Sequence, residues 1–258
     1  MDSKRYFLEF SYAGSAYHGW QRQPNAISVQ EVMEDALNTL LKQITPLTAA
    51  GRTDTGVHAR QMFAHFDGVI YENDREGLIF RLNQFLPHDI AIHNIHEVHS
   101  EAHARYDALN RTYEYHLNDI KSPFKQGLSY SLYQPLDFDT MNTAASLLLE
   151  YEDFECFSKS NTDVKTFLCD ITKAIWEKQG NKIVFTITAN RFLRNMVRAI
   201  VGTLIEIGLG KKNSTHMRQI IQSKNRSLAG YSVPAEGLFL TQINYPNSIY
   251  LDDGKGKW

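Results

Sequence analysis

The sequence predicts an α+β protein with two similar halves, each with elements in the order β-α-β-β-α-β. Three observations support this fold class: some segments alternate apolar and polar residues, others repeat apolar residues at helical spacing, and the two kinds of segment follow in the same order twice. A β-α-β-β-α-β unit is ferredoxin-like and has a predominantly antiparallel sheet. If the halves share a central sheet edge to edge, their junction forms a cleft.

The first half, residues 1–103, opens on a strand at 5–12 whose apolar side chains fall on every second residue. Ser28 and Glu31 form a capping box, and apolar residues at helical spacing follow it, which predicts a helix. The remaining elements, in chain order, are a strand near 44–50, a strand at 61–67, a helix over 78–86 and a strand from Asp89.

The second half, residues 104–258, repeats this order and adds a short helix before its last strand. Its elements are a strand at 104–118, a helix behind Asp139, strands at 171–178 and 182–189, a helix at 191–209, the short helix at 215–224 and a strand at 237–243. The sequence contains no low-complexity segment and no linker long enough to separate free domains.

The composition is typical of a soluble globular protein of the cytoplasm. Hydrophobic residues make up 43% and charged residues 22% of the chain, and no apolar run approaches the roughly 18 residues of a membrane span. The N-terminus opens on charges and then alternates, so we expect a strand there and no signal peptide. Only two cysteines, Cys156 and Cys169, occur, which excludes a disulfide scaffold. Because the net charge is -2, any nucleic acid must bind a local basic patch.

Asp54, within the string GRTDTGVHAR at 51–60, is the most distinctive candidate for chemistry. It begins an Asp-Thr-Gly tripeptide, as in aspartic proteases, but that chemistry needs two carboxylates that share a proton. No second such tripeptide occurs, and the nearest pattern is Asp253-Gly254 in the charged tail. The neighbouring Arg52 also opposes proton sharing. The residues therefore argue against a protease.

Four histidines resemble a metal-ligand cluster, with spacings of three, three and four residues: His93, His96, His99 and His103. They lie on a predicted strand and its exit, where such spacings alternate faces, whereas a zinc site needs three or four converging ligands. Scattered polar positions on the strand are the better interpretation of these four histidines.

Asp and Gly are also common in turns. The residues alone therefore leave two interpretations of Asp54 open, a turn residue or a lone catalytic carboxylate.

Two tyrosines, Tyr113 and Tyr115, fall on one face of the predicted strand at 104–118. We interpret Tyr115 as a core tyrosine. Tyr113 lies nearer the charged end of the strand, so it is the better candidate for facing a cleft.

Three arginines form a row beside the buried stripe of the predicted helix at 191–209. Arg191, Arg194 and Arg198 are spaced by three and four residues and therefore share one helix face. Such a row is either a solvated helix face or an edge that tracks phosphates or pairs with a carboxylate. The spacing alone does not decide between these two.

Seven strings, in order along nearly the whole chain, carry a family resemblance. They are GSAYHGWQRQ at 14–23, SVQEVMEDAL at 28–37, GRTDTGVHA at 51–59, LNQFLPHDIAI at 82–92, HARYDALNRTYEYHL at 103–117, NRFLRNMVRAIVGTL at 190–204 and PAEGLFL at 234–240. With these strings the chain resembles the TruA-type tRNA pseudouridine synthases. It departs from the family pattern at Ala13, Thr55 and Arg191, none of which is the aspartate.

The resemblance implies a pseudouridine synthase fold of two α+β halves around a central sheet. It implies that the protein isomerises uridine to pseudouridine at positions 38–40, in the anticodon stem-loop of tRNA. It also implies a homodimer, with the tRNA contacting both subunits, and an enzyme that needs no cofactor, no metal and no membrane.

By position in these strings, the resemblance assigns Asp54 as the nucleophile. Tyr113 matches the tyrosine that packs on the target uracil and serves as acid or base, and Arg198 matches the arginine paired with the nucleophile. Arg52 matches the arginine that enters the stack as the base leaves. Arg194 and Leu238 are further candidates for substrate binding.

The rival interpretation is a tRNA-binding protein or RNA chaperone without catalysis. Such a protein would keep Arg52, Arg194 and Arg198 but would not need Asp54 or Tyr113. Because both are present, we favour the enzyme. A carboxylate suits the chemistry, since a nucleophile must attach and then detach cleanly, at the ribose C1′ or at the uracil C6. A uridine in a stem must first be flipped out, which costs a few kcal/mol.

Overall fold

A computed structural model describes residues 2–71, 74–159 and 165–251. The chain forms two compact units. The first runs to Leu109 and takes up the chain again from Leu240, and the second comprises Asn110–Phe239. Within the described residues, no helix is both long enough and apolar enough to cross a membrane.

The first unit follows the predicted order β-α-β-β-α-β. Its helices and strands are β1 (Lys4–Tyr12), α1 (Val29–Leu41), β2 (Thr48–Ala49), β3 (His58–Gly68), α2 (Arg75–Phe85) and β4 (Ile90–Val98). Strand β1 lies between β3 and β4 and is antiparallel to both, and β2 is antiparallel to β3. The loops that join β1 to α1 and β2 to β3 are therefore both attached to the same small group of strands.

Local sequence explains where the helices of this unit begin. The Ser28 hydroxyl accepts a hydrogen bond from the Glu31 N–H at 3.3 Å, as the capping box predicts. The Asp74 carboxylate likewise accepts from the Gly77 N–H at 2.8 Å at the start of α2. Apolar side chains of β1, α1 and β3 are almost fully buried and belong to the core of this unit: Phe7, Leu8, Phe10, Met33, Leu37 and Met62.

The second unit contains β5 (Asn110–Asn118), β6 (Tyr130–Ser131), α3 (Phe138–Ser146), β7 (Ile171–Gln179), β8 (Lys182–Ala189), α4 (Met196–Gly208) and α5 (His216–Ser223). The strand β9 (Leu238–Asn244) begins in it, beside β5. Strand β8 is antiparallel to both β5 and β7, whereas β6 is parallel to β5. The mixed α and β content and the mostly antiparallel pairing confirm that part of the predicted fold class.

Two predicted elements begin later than expected. The strand predicted from residue 104 begins at Asn110, because the Asp107 carboxylate accepts the His103 N–H at 2.7 Å and folds the preceding residues into a turn. The helix predicted from residue 191 begins at Met196. Asn195 precedes it in the left-handed region, at φ 67, where a helix cannot continue.

Two smaller differences concern a strand and a cap. The strand predicted near 44–50 is only Thr48–Ala49. Helix α3 is capped by Asp137, whose carboxylate accepts from the Thr140 N–H at 3.0 Å, and Asp139 lies within its first turn. Both differences concern element ends, where hydrogen bonds and not periodicity set the boundary.

Candidate active site

The loop between β2 and β3 carries Asp54, and the segment before α1 holds this loop on both sides of it. On one side, the Trp20 N–H donates to the Thr53 carbonyl at 3.2 Å. On the other, the Gly56 N–H donates to the Tyr17 carbonyl at 3.4 Å. The hydroxyls of Tyr12 and Thr53 are 2.8 Å apart in a buried hydrogen bond. The backbone on either side of the aspartate is thus fixed by the rest of the first unit.

Gly19 makes this attachment sterically possible. A Cβ on Gly19 would lie 2.4 Å from the Thr53 carbonyl oxygen and 3.2 Å from the Asp54 carbonyl carbon. Its φ of +86 is also one that residues with side chains rarely adopt. Both constraints require glycine here. Gly19, the second glycine of the string GSAYHGWQRQ, therefore packs directly against the loop that carries the aspartate.

Asp54 itself combines a turn backbone with a half-buried side chain. Its carbonyl accepts from the Val57 N–H at 3.1 Å, so residues 54–57 form a turn. Arg52, two residues earlier, is exposed. The turn interpretation is therefore correct for the backbone of Asp54.

The two candidate tyrosines of β5 differ in burial and in surroundings. Tyr115 is fully buried and donates its hydroxyl to the Pro234 carbonyl at 2.8 Å. Burial raises the pKa of Tyr115, while the charge of Arg198 acts in the opposite direction. Tyr113 is half-buried, and its ring packs edge-on against Phe192 with centroids 5.1 Å apart. Tyr115 is thus the core tyrosine that we predicted, whereas Tyr113 is only partly buried.

The three arginines do not form the predicted helical row. Arg198 lies in the first turn of α4, is half-buried and donates its Nε–H to the Val233 carbonyl at 2.7 Å. Arg191 and Arg194 precede the helix, because the left-handed Asn195 separates them from it. Arg194 is exposed, and Arg191 donates to the Thr166 carbonyl at 3.2 Å. The prediction of a shared helix face was therefore wrong.

Comparison with known proteins identifies the family. A family described as "tRNA pseudouridine synthase" matches residues 144–246. The chain is 50% identical over 251 residues to the tRNA pseudouridine synthase A of Porphyromonas gingivalis, covering 96% of this chain and 99% of that protein. It is 48% identical over 251 residues to that of Bacteroides fragilis, covering 97% and 100%. It is also 40% identical over 243 residues to that of Acetivibrio thermocellus, covering 92% and 98%.

The chain belongs to the TruA-type tRNA pseudouridine synthases. It is an isomerase that converts uridine in tRNA to pseudouridine.

The histidines that resembled a metal cluster have separate partners in the synthase. His93 bonds to the Ser11 hydroxyl at 2.8 Å, His96 to the Glu9 carboxylate at 3.4 Å and His99 to the Ser248 carbonyl at 3.0 Å. The His103 ring packs against His65 and Tyr106. No group of three or more His, Cys, Asp or Glu side chains in the described parts of the chain is arranged to hold a metal ion.

Two further candidates from the sequence have different outcomes. Leu238, expected to bind substrate, is buried at the start of β9 with 6% of its surface exposed. Its contact with substrate stays a prediction. Asp253-Gly254, the partner weighed for a protease dyad, lies outside the described residues.

Sequence reasoning missed one segment that contacts a candidate residue. Residues 229–234 lie against α4, and the Val233 carbonyl in this segment is the acceptor for Arg198. Tyr231 and Ser232 also contact this helix and its cap residue. The pattern GYSVP offered only a turn signal, because its role depends on hydrogen bonds to residues about 30 positions earlier in the chain.

Proposed function

We propose that the synthase modifies uridines at positions 38–40, in the anticodon stem-loop of tRNA, and that Asp54 is its nucleophile. The observation that carries this proposal is the loop at 51–57. It combines the string GRTDTGVHA with a backbone fixed on both sides of Asp54 and a carboxylate that remains half-buried. A carboxylate on a fixed backbone suits attack on a base or sugar held at a defined place.

The chemistry of the isomerisation explains why a carboxylate is used. The bond from N1 of uracil to C1′ of ribose breaks, the uracil turns, and a bond from C5 to C1′ forms. The C5 proton leaves and N1 takes up a proton, so the product is an isomer of the substrate. The nucleophile must bond to the substrate in the first stage and be released in the second, and a carboxylate is capable of both. Attack at C1′ and attack at C6 both meet this requirement.

The remaining candidates have complementary roles in this proposal. The ring of Tyr113 stacks on the flipped uracil, and its hydroxyl transfers a proton. Arg198 is the cationic partner of the nucleophile. Arg52 enters the helical stack when the base leaves, and Arg194 contributes a phosphate contact. Base stacking on an aromatic ring is worth about 1–3 kcal/mol, enough to offset much of the cost of flipping.

We also propose the architecture that the family resemblance implies: two ferredoxin-like halves, at 1–103 and 104–258, with a cleft between them. The strand order β4-β1-β3-β2 in the first unit supports it for that half, because this order begins with the last strand of the unit and places the first strand second. A homodimer that binds tRNA through both subunits, working in the cytoplasm, completes the proposal.

The test uses tRNA transcripts carrying tritium at C5 of uridine, since each isomerisation releases that hydrogen to water. Transcripts with uridine at only one of positions 38, 39 and 40, and one with none there, locate the modification. Asp54→Asn should abolish release while changing tRNA affinity less than about tenfold, roughly 1.4 kcal/mol.

The matched control is Asp35→Asn, which makes the same chemical change at an exposed position of α1. It should release tritium at the parental rate. Normal turnover by Asp54→Asn would refute the nucleophile. Release from the transcript without uridine at 38–40 would refute the position.

A further inference from the structure

Residues 229–234, here called the strap, are fastened to α4 at several points. The Gly230 N–H donates to the Thr203 hydroxyl at 2.8 Å, and the Asn195 side-chain amide donates to the Ser232 hydroxyl at 2.6 Å. Between these points, a Cβ on Gly202 would lie only 1.8 Å from the Tyr231 carbonyl oxygen. Backbone packing this close allows only one register of the strap on the helix.

A second set of bonds comes from Arg226, just before the strap. Its guanidinium donates to the Ala229 and Gly230 carbonyls at 3.4 and 3.1 Å and to the Ser232 hydroxyl at 3.1 Å. The strap is thus fixed both to the helix and to its own lead-in segment.

The last two residues of the strap connect Arg198 to Tyr115. The Val233 carbonyl accepts from Arg198 Nε at 2.7 Å, and the Val233 N–H donates back to the Arg198 carbonyl at 3.3 Å. The next carbonyl, that of Pro234, accepts from the Tyr115 hydroxyl at 2.8 Å. Two consecutive peptide planes therefore join the tyrosine to the arginine, and proline fixes one of the torsions between them.

A phenylalanine would fill the buried space around the Tyr115 ring, but it could not donate the hydrogen bond to the Pro234 carbonyl. A Cβ on Gly237, three residues after the strap, would lie 2.8 Å from Cζ of Tyr115, so the backbone there packs directly on the end of the ring. Because burial raises the pKa of Tyr115, the hydroxyl keeps its proton and remains a donor. The ring packs in the apolar core, and the hydroxyl donates its hydrogen bond to the Pro234 carbonyl.

We infer that Tyr115 is a positioning residue of the isomerase: its hydroxyl holds the end of the strap, and the strap's Val233 carbonyl sets the direction of the Arg198 guanidinium. The inference rests on the proposed role of Arg198 in catalysis. An arginine side chain has many rotamers, and one carbonyl bound to Nε removes much of that freedom before substrate arrives. Displacing a catalytic group by about 1 Å can cost about 10²-fold in rate.

The test is a double-mutant cycle between Tyr115→Phe and Arg198→Lys, measured by single-turnover tritium release and by tRNA binding. Lysine keeps a positive charge but has no Nε–H for the Val233 carbonyl. In the parent, Tyr115→Phe should lower the rate about tenfold with unchanged tRNA affinity. In the Arg198→Lys background it should change the rate by less than about twofold, since the two sites act through one contact.

Two further variants keep the test sharp if Tyr115→Phe folds poorly. Ser232→Ala removes the acceptor of both Asn195 and Arg226, so it loosens the strap without touching the tyrosine. It should show the same dependence on Arg198. Tyr245→Phe is the matched control, because this buried tyrosine also donates to a backbone carbonyl, that of Ala104. It should lower the melting temperature and leave the rate unchanged.

The outcomes separate this inference from the proposed function. Suppose that Arg198→Lys is impaired, and that Tyr115→Phe either lowers the rate equally in both backgrounds or changes it in neither. Tyr115 then does not position Arg198, and the inference is overturned while the role of Arg198 stands. If Arg198→Lys and Arg198→Met both retain the parental rate, the proposed role of Arg198 fails and the inference fails with it.

Discussion

Substitution of Gly202 by alanine tests how closely the strap packs on α4. The new Cβ would meet the Tyr231 carbonyl oxygen at 1.8 Å and its carbon at 3.0 Å, and both are backbone atoms that cannot rotate away. To restore ordinary van der Waals contact, the strap must move by more than 1 Å. Such a shift strains or breaks the bonds from Gly230 to Thr203 and from Asn195 to Ser232.

The magnitude follows from three contributions. Overpacking in a well-packed site costs about 1–3 kcal/mol. Each lost hydrogen bond costs about 1 kcal/mol. Alanine in a helix interior returns about 1 kcal/mol relative to glycine. We therefore expect Gly202→Ala to lower the free energy of unfolding by about 2–4 kcal/mol, and the melting temperature by roughly 5–15 °C.

Gly208→Ala is the matched control on the same helix. Its Cβ would lie 2.4 Å from the Met141 sulfur, which belongs to a flexible side chain. The thioether can rotate, so we expect a change of less than about 1.5 kcal/mol. Urea and thermal unfolding followed by circular dichroism measure both variants. A Gly202→Ala protein as stable as the parent would refute the close packing of the strap and remove the basis for positioning Arg198.

Three other predictions follow from the described residues. Tyr113→Phe should melt normally and bind tRNA but turn over at least about a hundredfold slower, as loss of a general acid or base does; an active but less stable variant would return Tyr113 to a structural role. Burial, helped by the charge of His103, lowers the pKa of His65 from 6.5 to about 4. Protonation of His65 therefore favours unfolding, and the unfolding free energy should decline as the pH falls from 6.5 towards 4; His65→Gln, measured by urea unfolding across this range, should flatten the decline, and an unchanged slope would contradict it. Dialysis against EDTA should leave tritium release intact, and loss restored by added metal would return attention to the histidines at 93–103.

The sequence predicted helices and strands well where one face of the element is buried and where a capping residue lies next to the element in the sequence. Strand β1 and helix α1 show this, since period-two alternation and the Ser28 cap each act within a few residues. Periodicity failed where apolar residues are buried without being regular. Leu193 is 5% exposed and continues the helical stripe, yet it lies before α4. Its burial is tertiary, and only the backbone angle of Asn195 shows that the helix has not begun.

The candidate site was predictable to a different degree in its parts. Asp54 could be singled out because a specific string surrounds it, and Tyr113 was separated from Tyr115 by position along β5. The strap was not predictable, because its contacts pair Tyr115 with Pro234 across 119 residues and Arg198 with Val233 across 35. A turn-like pattern such as GYSVP does not indicate which distant side chains will donate hydrogen bonds to its carbonyls.

The same structural device occurs in both units, at the segments that carry candidate chemistry. In the first unit, Gly19 brings a backbone segment against the Thr53 carbonyl, next to Asp54. In the second, Gly202 brings α4 against the Tyr231 carbonyl, in the strap that binds Arg198. In each case a missing Cβ allows two backbones to touch, so the main chain is fixed while the functional side chain stays only half-buried. An enzyme that stabilises charge at a defined place gains from groups oriented before substrate binds, because they need little reorganisation during the reaction. In the proposed function, Asp54 and Arg198 would gain in this way from the fixed backbone that carries each of them.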